Sequence, residues 1–186
     1  MNYYGAKDLA DSFRTVRKNT LTIAQEIPED KYGFKPSSES RSVAQTLTHI
    51  ALVSRMAMQI HGVERRTSME GFDFMTFIQG LIAEEQKPRT KAQIIALLTE
   101  EGDKYSKWLQ GLSDDVLGER VNFPAGMTPP NKTRFEMILG VKEHEMHHRG
   151  QLMLVERMLG IVPHLTRENE ARRAAMMANA AAAKPA

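Results

Sequence analysis

The chain has 186 residues, with 25 Lys and Arg against 23 Asp and Glu, a formal net charge of +2 and no cysteine. This length can bury one core without a disulfide or a structural metal, and the lack of cysteine excludes thiolate ligands and cysteine nucleophiles. The charge is small and both signs are interspersed, so no nucleic-acid partner is expected. The amino terminus lacks a signal-peptide pattern and no apolar run is long enough to cross a bilayer, which predicts a cytoplasmic protein without membrane association.

Apolar residues at helical spacing predict the first two of four long helices. The first covers residues 6–27 and is ended by Pro28. The second begins near Ser42, which can serve as its N-cap, and runs to about His61 before Gly62.

The third and fourth long helices are predicted from their capping residues. Thr90 is the expected N-cap of the third helix, which carries an apolar stripe up to Gly111. A Gly- and Pro-rich connection follows. Thr133 and Glu136 form a capping-box pattern that opens the fourth helix, which should continue to Leu159.

The remaining segments are predicted to cover or extend this bundle. Tyr32 and Phe34 lie between two prolines and are interpreted as packing residues. Residues 72–82 could form a short helix whose aromatics either pack on the core or rim, which we favour, or line a substrate mouth. Residues 1–164 are thus expected to form one domain, and residues 165–186 a polar, alanine-rich tail that is frayed, disordered or packed on another subunit.

The candidate functional residues are histidines. His144 and His148 are four residues apart, so both imidazoles lie on one face of the fourth helix, and neutral imidazole is a common ligand of zinc, nickel, iron and copper. The spacing alone is weak evidence. His49 lies in an otherwise largely apolar part of the second helix and is the candidate third ligand. The alternative is a core imidazole with a single hydrogen-bond partner.

Other polar residues near these histidines have less defined roles. Gln151 shares the face of the His pair and is expected either to support a ligand, to position a substrate or to sit on the bundle seam. His147 points about 60° away from the first histidine of the pair and is interpreted as an outer-shell or interface residue. Glu143 and Glu145 are expected on a solvated face. His61 is expected to be a C-terminal cap or a solvated residue, three turns beyond the second-helix histidine.

The run from His144 to His148 also matches the His-Glu-x-x-His signature of zinc proteases. In that alternative Glu145 would be the general base, and His164, the only downstream histidine, would be the third ligand. The chain lacks a strand-rich half that could present a peptide substrate, so its helical pattern argues against a protease.

Two stretches make the chain resemble the DinB/YfiT-like superfamily of small bacterial metal-binding four-helix bundles. Residues 41–50 are similar to the second-helix histidine motif, and residues 144–152 to the fourth-helix His-x-x-x-His-Arg-Gly-Gln motif. The resemblance covers about residues 6–163. It implies an all-α four-helix bundle with up-down-down-up topology and a divalent metal, zinc or nickel, held by His49, His144 and His148 with water at an open position. Dimers are common in this superfamily, so the resemblance also implies a possible homodimer.

The same resemblance gives the expected function. Characterised relatives include thiol S-transferases that use bacillithiol or mycothiol and a mycothiol-dependent maleylpyruvate isomerase. We therefore expect a metal-dependent enzyme, similar to a thiol S-transferase, that acts on a small electrophile and uses a low-molecular-weight thiol. The alternatives are a non-catalytic metal-binding stress-response module and a metal-dependent hydrolase. The residues leave the catalytic groups, the thiol, the electrophile and the physiological metal open.

Overall fold

The structure is a computed structural model that describes residues 4–182. Its helices are α1 (Ala6–Glu26), α2 (Val43–Leu52), α3 (Ser54–Ala57), α4 (Phe74–Glu85), α5 (Lys91–Gln110), α6 (Asp114–Gly118), α7 (Arg134–Met158) and α8 (His164–Ala182). A π-helical segment, Met58–Val63, directly follows α3. Two short strands, β1 (Arg120–Asn122) and β2 (Asn131–Thr133), form an antiparallel pair.

Four long helical rods form the bundle. They are α1, the rod made of α2, α3 and the π-helical segment, α5, and α7; α1 and α2 both pack against α5 and α7. The predicted all-α four-helix bundle is confirmed. The long connection between the second and third rods, which contains α4, is the element that an up-down-down-up topology requires.

The predicted helix starts are confirmed by their capping geometry. The hydroxyls of Ser42, Thr90 and Thr133 each accept the backbone N–H three residues on, and the side chains of Gln45, Gln93 and Glu136 each accept the N–H of the cap residue. These reciprocal bonds satisfy amide donors that have no partner inside the helix, which stabilises each start by about 1 kcal/mol.

Two apolar clusters fill the bundle, and a buried ion pair connects them. One cluster includes Ile23, Leu47, Ile50, Ile94, Leu98 and Leu152. The other includes Phe13, Tyr105, Leu109 and Ile138. Arg17 lies over the ring of Phe13 in the second cluster and donates to the carbonyl oxygens of Ile50 and Leu98 in the first.

The partner of Arg17 corrects one expectation. Glu145 was expected on a solvated face, but its side chain is completely buried. Its carboxylate accepts Nε–H and Nη2–H of Arg17 at 2.9–3.1 Å and the hydroxyl of Thr20 at 2.7 Å. Arg17 therefore bonds to α2, α5 and α7 from its own position on α1. By contrast, Glu143 is exposed, as expected.

The surface segments divide between confirmed and revised expectations. Tyr32 is buried and donates its hydroxyl to the carbonyl of Ala24, and Phe34 packs on the core, so packing is confirmed for both. The aromatic segment forms α4, but Phe74 and Met75 are 48% and 64% exposed, so its apolar run covers the rim and not the core. α4 contacts the bundle mainly through α2, so the bundle covers only one side of this helix.

The carboxy-terminal segment is helical as far as Ala182, whereas fraying or disorder was among the expectations. His164 is buried at its start, Arg167 bonds to Glu26 on α1, and the residues beyond Arg167 are exposed as far as their side chains are described. The domain boundary after residue 164 stays a prediction. Among the described residues, no helix combines the length and apolar content needed to cross a membrane.

Candidate metal centre

Three histidine side chains converge between α2 and α7. The Nε2 atom of His144 lies 3.1 Å from Nε2 of His49 and 3.2 Å from Nε2 of His148. The four-residue step on α7 places one pair, and the packing of α2 on α7 brings the third ring across. The three ligand atoms lie within 4.8 Å of one another. The structure thus brings together the three histidines selected from the sequence.

Hydrogen bonds on the outer nitrogens determine the tautomers of two of these rings. Nδ1 of His49 lies 3.1 Å from Oε2 of Glu85, and Nδ1 of His148 lies 2.8 Å from Oε1 of Gln151. Both oxygens are acceptors, so each Nδ1 carries the hydrogen. The Nε2 atoms of His49 and His148 therefore present lone pairs toward the centre of the cluster. Carboxylate and amide partners of this kind commonly orient metal-binding imidazoles.

The third ring, His144, is neutral and has an unconstrained outer nitrogen. Burial, followed by the proximity of His148 and His49, lowers the pKa of His144 to about 4. Burial also lowers the pKa of His148, against the hydrogen bond to Gln151. Nδ1 of His144 is buried without a partner among the described residues. Nδ1 of His144 can therefore carry the ring hydrogen when Nε2 faces a metal, whereas without a metal an Nε2–H of His144 is accepted by the lone pairs of His49 and His148.

These residues fit a divalent metal ion. Zinc–imidazole bonds of about 2.0–2.1 Å in a tetrahedral site separate two ligand nitrogens by about 3.3 Å, close to the two distances of 3.1 and 3.2 Å. Neutral nitrogens whose lone pairs converge at this distance repel one another unless a cation, or a hydrogen carried by one of them, lies between them. Three imidazoles leave a fourth position for water or substrate, and His-only ligation suits zinc, nickel and other first-row metals.

Sequence reasoning missed Glu85, the acceptor for His49. Its side chain is buried, and Nε of Arg41 donates to its other oxygen at 2.6 Å. Burial opposes the charge of Glu85, but the hydrogen bonds from His49 and Arg41 outweigh it and lower the pKa of this carboxyl. Glu85 is the last residue of α4, three residues past the aromatic run from which the helix was predicted. The only sequence signal was a carboxylate at the end of an apolar helix.

Gln151 and His147, the other two polar residues of α7 near the candidate ligands, have different roles. Gln151 bonds to His148, as the ligand-supporting alternative required, and its Nε2 lies 3.1 Å from Nε2 of His147. His147 is exposed and lies outside the three-histidine cluster. It is therefore a peripheral residue.

Two other histidines are not part of this cluster. His61 was expected to cap the helix or to be solvated, but it is 5% exposed and its Nδ1 lies 3.1 Å from Nη1 of Arg134. The π-helical winding of Met58–Val63 changes the direction in which it points from that of a uniform α-helix. His164 lies near Asn19, so the protease alternative loses its third ligand, and its general base Glu145 is held by Arg17.

Two spaces of different character adjoin the histidines. The apolar cavity, of about 250 Å³, is lined by Val53, Ile60, His61, Val141 and His144 among others. The polar basin, of about 580 Å³, is lined by Lys35, Arg41, Gln45, Glu85 and Gln151 among others. The apolar cavity is lined by His144 itself, and the polar basin is lined by Glu85 and Gln151, which bond to the other two candidate ligands. The candidate centre therefore lies between an apolar and a polar binding space.

Comparisons with solved structures show the same fold. A DinB-like protein from Bacillus subtilis is 20% identical with a TM-score of 0.60, covering 82% of this chain and 91% of that chain. YfiT from Bacillus subtilis, described as a probable metal-dependent hydrolase with an unusual four-helix bundle topology, is 14% identical with a TM-score of 0.64, covering 84% and 88%. An uncharacterised Clostridium difficile protein is 12% identical with a TM-score of 0.66, covering 84% and 98%.

The sequence itself gives the family. No curated protein matches the chain. The family model of the DinB superfamily matches residues 12–152, which include His49, His144 and His148. The match covers most of the chain, with the second and third helical rods complete and the larger part of α1 and α7. The protein belongs to the DinB superfamily.

Proposed function

We propose that this protein is a metal-dependent enzyme that joins a low-molecular-weight thiol to a small electrophile, with the metal held by His49, His144 and His148. The observation that carries the proposal is the convergence of three Nε2 atoms, two of them with their outer nitrogens bonded to Glu85 and Gln151. A bound divalent metal would supply Lewis acidity that lowers the pKa of a coordinated thiol or water.

The protein's own residues supply binding, orientation and a dry surface. Arg41 and Lys35 line the polar basin, where their cationic side chains suit the hydroxyl and carboxylate groups of a polar thiol. The apolar cavity beside His144 suits the apolar body of an electrophile. In the reaction the thiol proton passes to solvent, sulfur forms a bond to the electrophilic carbon, and the bond from that carbon to the leaving group breaks.

Hydrolysis is the second candidate, because the similar structure of YfiT is described as a probable metal-dependent hydrolase. It uses the same open position but benefits from a base that accepts a proton from water. The carboxylates of Glu85 and Glu145, near the histidines, each bond to an arginine and to a second side chain, which is His49 for Glu85 and Thr20 for Glu145. A thiol is a much stronger acid than water and therefore depends less on such a base to lose its proton, so this arrangement supports thiol transfer over hydrolysis.

The metal is tested first. Tag-free protein is loaded with zinc or nickel, dialysed without chelators and assayed for bound metal beside single alanine variants of His49, His144 and His148. We expect about one metal per chain in the parent and loss in each variant while the helical circular dichroism persists. His147→Ala is the matched control on α7 and should retain metal. A parent that binds no metal would refute the proposal.

The reaction is tested next on the metal-loaded protein. Bacillithiol, mycothiol and glutathione are each combined with 1-chloro-2,4-dinitrobenzene, and 4-nitrophenyl acetate is used as the hydrolytic substrate. Metal-dependent conjugation that is saturable in thiol supports the transferase. Ester hydrolysis without conjugation supports the hydrolase. A metal-loaded protein inactive in both, whose metal spectrum is unchanged by thiol, supports the non-catalytic metal-binding module.

A homodimer remains a prediction, and α7 offers a surface for it. Met146, Leu154 and Met158 are spaced by four or eight residues and are each about half exposed, so they share one apolar face. Light scattering at several protein concentrations measures the mass directly. Leu154→Lys should shift a dimer toward monomer, whereas a monomeric mass for the parent would refute the dimer.

A further inference from the structure

We propose that His61 is a substrate-positioning residue: its Nε2–H donates a hydrogen bond to an acceptor oxygen on a compact, otherwise apolar substrate that occupies the apolar cavity beside His144. This inference rests on the proposed function for its reaction, but its binding step does not require the metal. It assigns the electrophile to a class, namely small esters and related acyl compounds, whose carbonyl carbon carries the leaving group, with an apolar body.

The tautomer of His61 follows from its contact with Arg134. Nη1 of Arg134 lies 3.1 Å from Nδ1 of His61. A guanidinium can only donate, so Nδ1 is the acceptor and the ring hydrogen is on Nε2. Arg134 is itself 2% exposed and is held by Glu119 and by the carbonyl oxygen of Arg65. The ring of His61 is therefore fixed as a neutral N–H donor.

That donor has no acceptor in the part of the chain that the structure describes. Among residues 4–182, the hydrogen bonds of His61 are limited to Arg134, and Nε2 is not among the buried polar atoms that lack a partner. The Nε2–H is therefore reached from one of two spaces that His61 lines: the apolar cavity, or a polar pocket of about 430 Å³ that is also lined by Trp108 and Arg134. Arg134 holds the Nδ1 side of the ring at the polar pocket, so we assign Nε2 to the apolar cavity. A donor in an otherwise apolar space costs free energy when it stays unpaired, so it selects a ligand that carries an acceptor.

The apolar cavity has the size and composition of a site for a compact molecule. It holds about 250 Å³, below the usual range for drug-sized ligands, and Val53, Ile60 and Val141 contribute to its walls. His144, a candidate metal ligand, lines it together with His61. A carbonyl compound in this cavity has its oxygen available to His61 while its carbon faces the same space as His144. The hydrogen bond would also polarise the carbonyl.

The backbone around His61 departs from regular helix in two places. Met58–Val63 is π-helical, a feature that is frequent at functional sites, and Arg65 has a positive φ of 49°. The carbonyl of Arg65 is the one that accepts from Arg134. Both irregularities thus lie in the segment that places His61 against Arg134. In a uniform α-helix, His61 was expected at a solvated helix end.

The test compares two ligands of nearly equal shape, acetophenone and ethylbenzene, of which only the first has an acceptor oxygen. Full-length protein is titrated with each, as purified and after metal removal, and binding is followed by NMR. We expect about tenfold tighter binding of acetophenone by the parent, in both metal states. His61→Phe should remove this preference while still binding ethylbenzene, and His61→Gln, which places an amide N–H near the position of Nε2, should keep part of it.

A second readout needs no variant. In protein with ¹⁵N-labelled histidine, the Nε2–H resonance of His61 should shift with acetophenone and not with ethylbenzene, and the ligand should show contacts to the methyl groups of Ile60 and Val141. Equal binding of the two ligands, an unmoved His61 resonance, or contacts to Trp108 in the neighbouring polar space would each overturn the proposal. Because the metal-free protein is included, absence of metal refutes the proposed function while leaving this result interpretable.

Discussion

Replacing Arg17 by methionine is predicted to destabilise the protein by about 3–5 kcal/mol, because the completely buried carboxylate of Glu145 then loses its cation. Methionine keeps much of the volume of the arginine stem, so the main loss is electrostatic. Thr20 remains as one hydrogen-bond donor to the carboxylate. The carbonyls of Ile50 and Leu98 also lose a donor, which adds to the cost.

The expected change is large enough to measure by thermal or urea unfolding. For a chain of this size, about 3–5 kcal/mol corresponds to a Tm roughly 6–20 °C lower, if unfolding is two-state. The assay is circular dichroism at 222 nm on the parent and the variant at pH 7. Arg14→Met is the matched control on the same helix, since Arg14 is exposed and pairs with Asp11, and it should cost less than about 1 kcal/mol.

A double variant separates the charge from the packing. Arg17→Met with Glu145→Leu removes both ions, so it should be much more stable than the sum of the two single losses predicts, and it can approach the parent. A loss below about 1 kcal/mol for Arg17→Met, or additive losses in the double variant, would show that water or another group neutralises Glu145 and that the reasoning is wrong.

Three further perturbations have distinct signatures. Glu85→Ala should weaken metal binding about 10–100-fold by freeing the ring of His49, whereas Glu84→Ala should not; equal affinities in calorimetry would contradict the role of Glu85. Burial and then Glu26 raise the pKa of Glu156 from 4.5 to about 7, so the folded state binds the proton more tightly and stability falls as pH rises from about 4.5 to 7. The free energy of unfolding of Glu156→Gln should therefore exceed that of the parent by roughly 3 kcal/mol at pH 8 and differ little from it at pH 4.5. A difference that does not change with pH would argue against a buried carboxyl. An alanine Cβ at Gly102 would lie 3.0 Å from Cγ of the fixed Arg17, so Gly102→Ala should destabilise by about 1–2 kcal/mol in urea melts, opposite to the gain that helix propensity alone predicts.

Sequence reasoning could find the candidate ligands because their signal is local. His144 and His148 are four residues apart on one helix, and His49 is conspicuous in an apolar helix. Helix starts were predicted for the same reason, since a capping box such as Thr133 with Glu136 lies within four residues. The ligation itself remains a proposal, although the geometry brings the three rings together.

The remaining parts of the site depend on contacts between distant residues. Arg17 and Glu145 are 128 positions apart, and His61 meets Arg134 across 73 positions. For Glu145 a local signal existed, because Ile138, Val141, Glu145, His148, Leu152 and Val155 follow alternating steps of three and four along the buried stripe of α7. The predicted face was centred on His144 and His148, which placed Glu145 on the outside. The direction of His61 had no local signal, because the π-helical segment shifts the register after Ala57.

The position of the buried ion pair links stability to the candidate metal site. Glu145 follows His144 directly, and the carbonyl that accepts from Arg17 belongs to Ile50, which follows His49. Arg17 thus holds α2 and α7, the two helices that supply the histidines, in a fixed relative position. Its contacts on these helices are adjacent in sequence to His49 and His144. A methionine and leucine pair can restore stability without restoring these directional bonds. The double variant should therefore keep the fold and still bind metal more weakly than the parent, whereas unchanged metal affinity would show that apolar packing alone holds α2 and α7 in register.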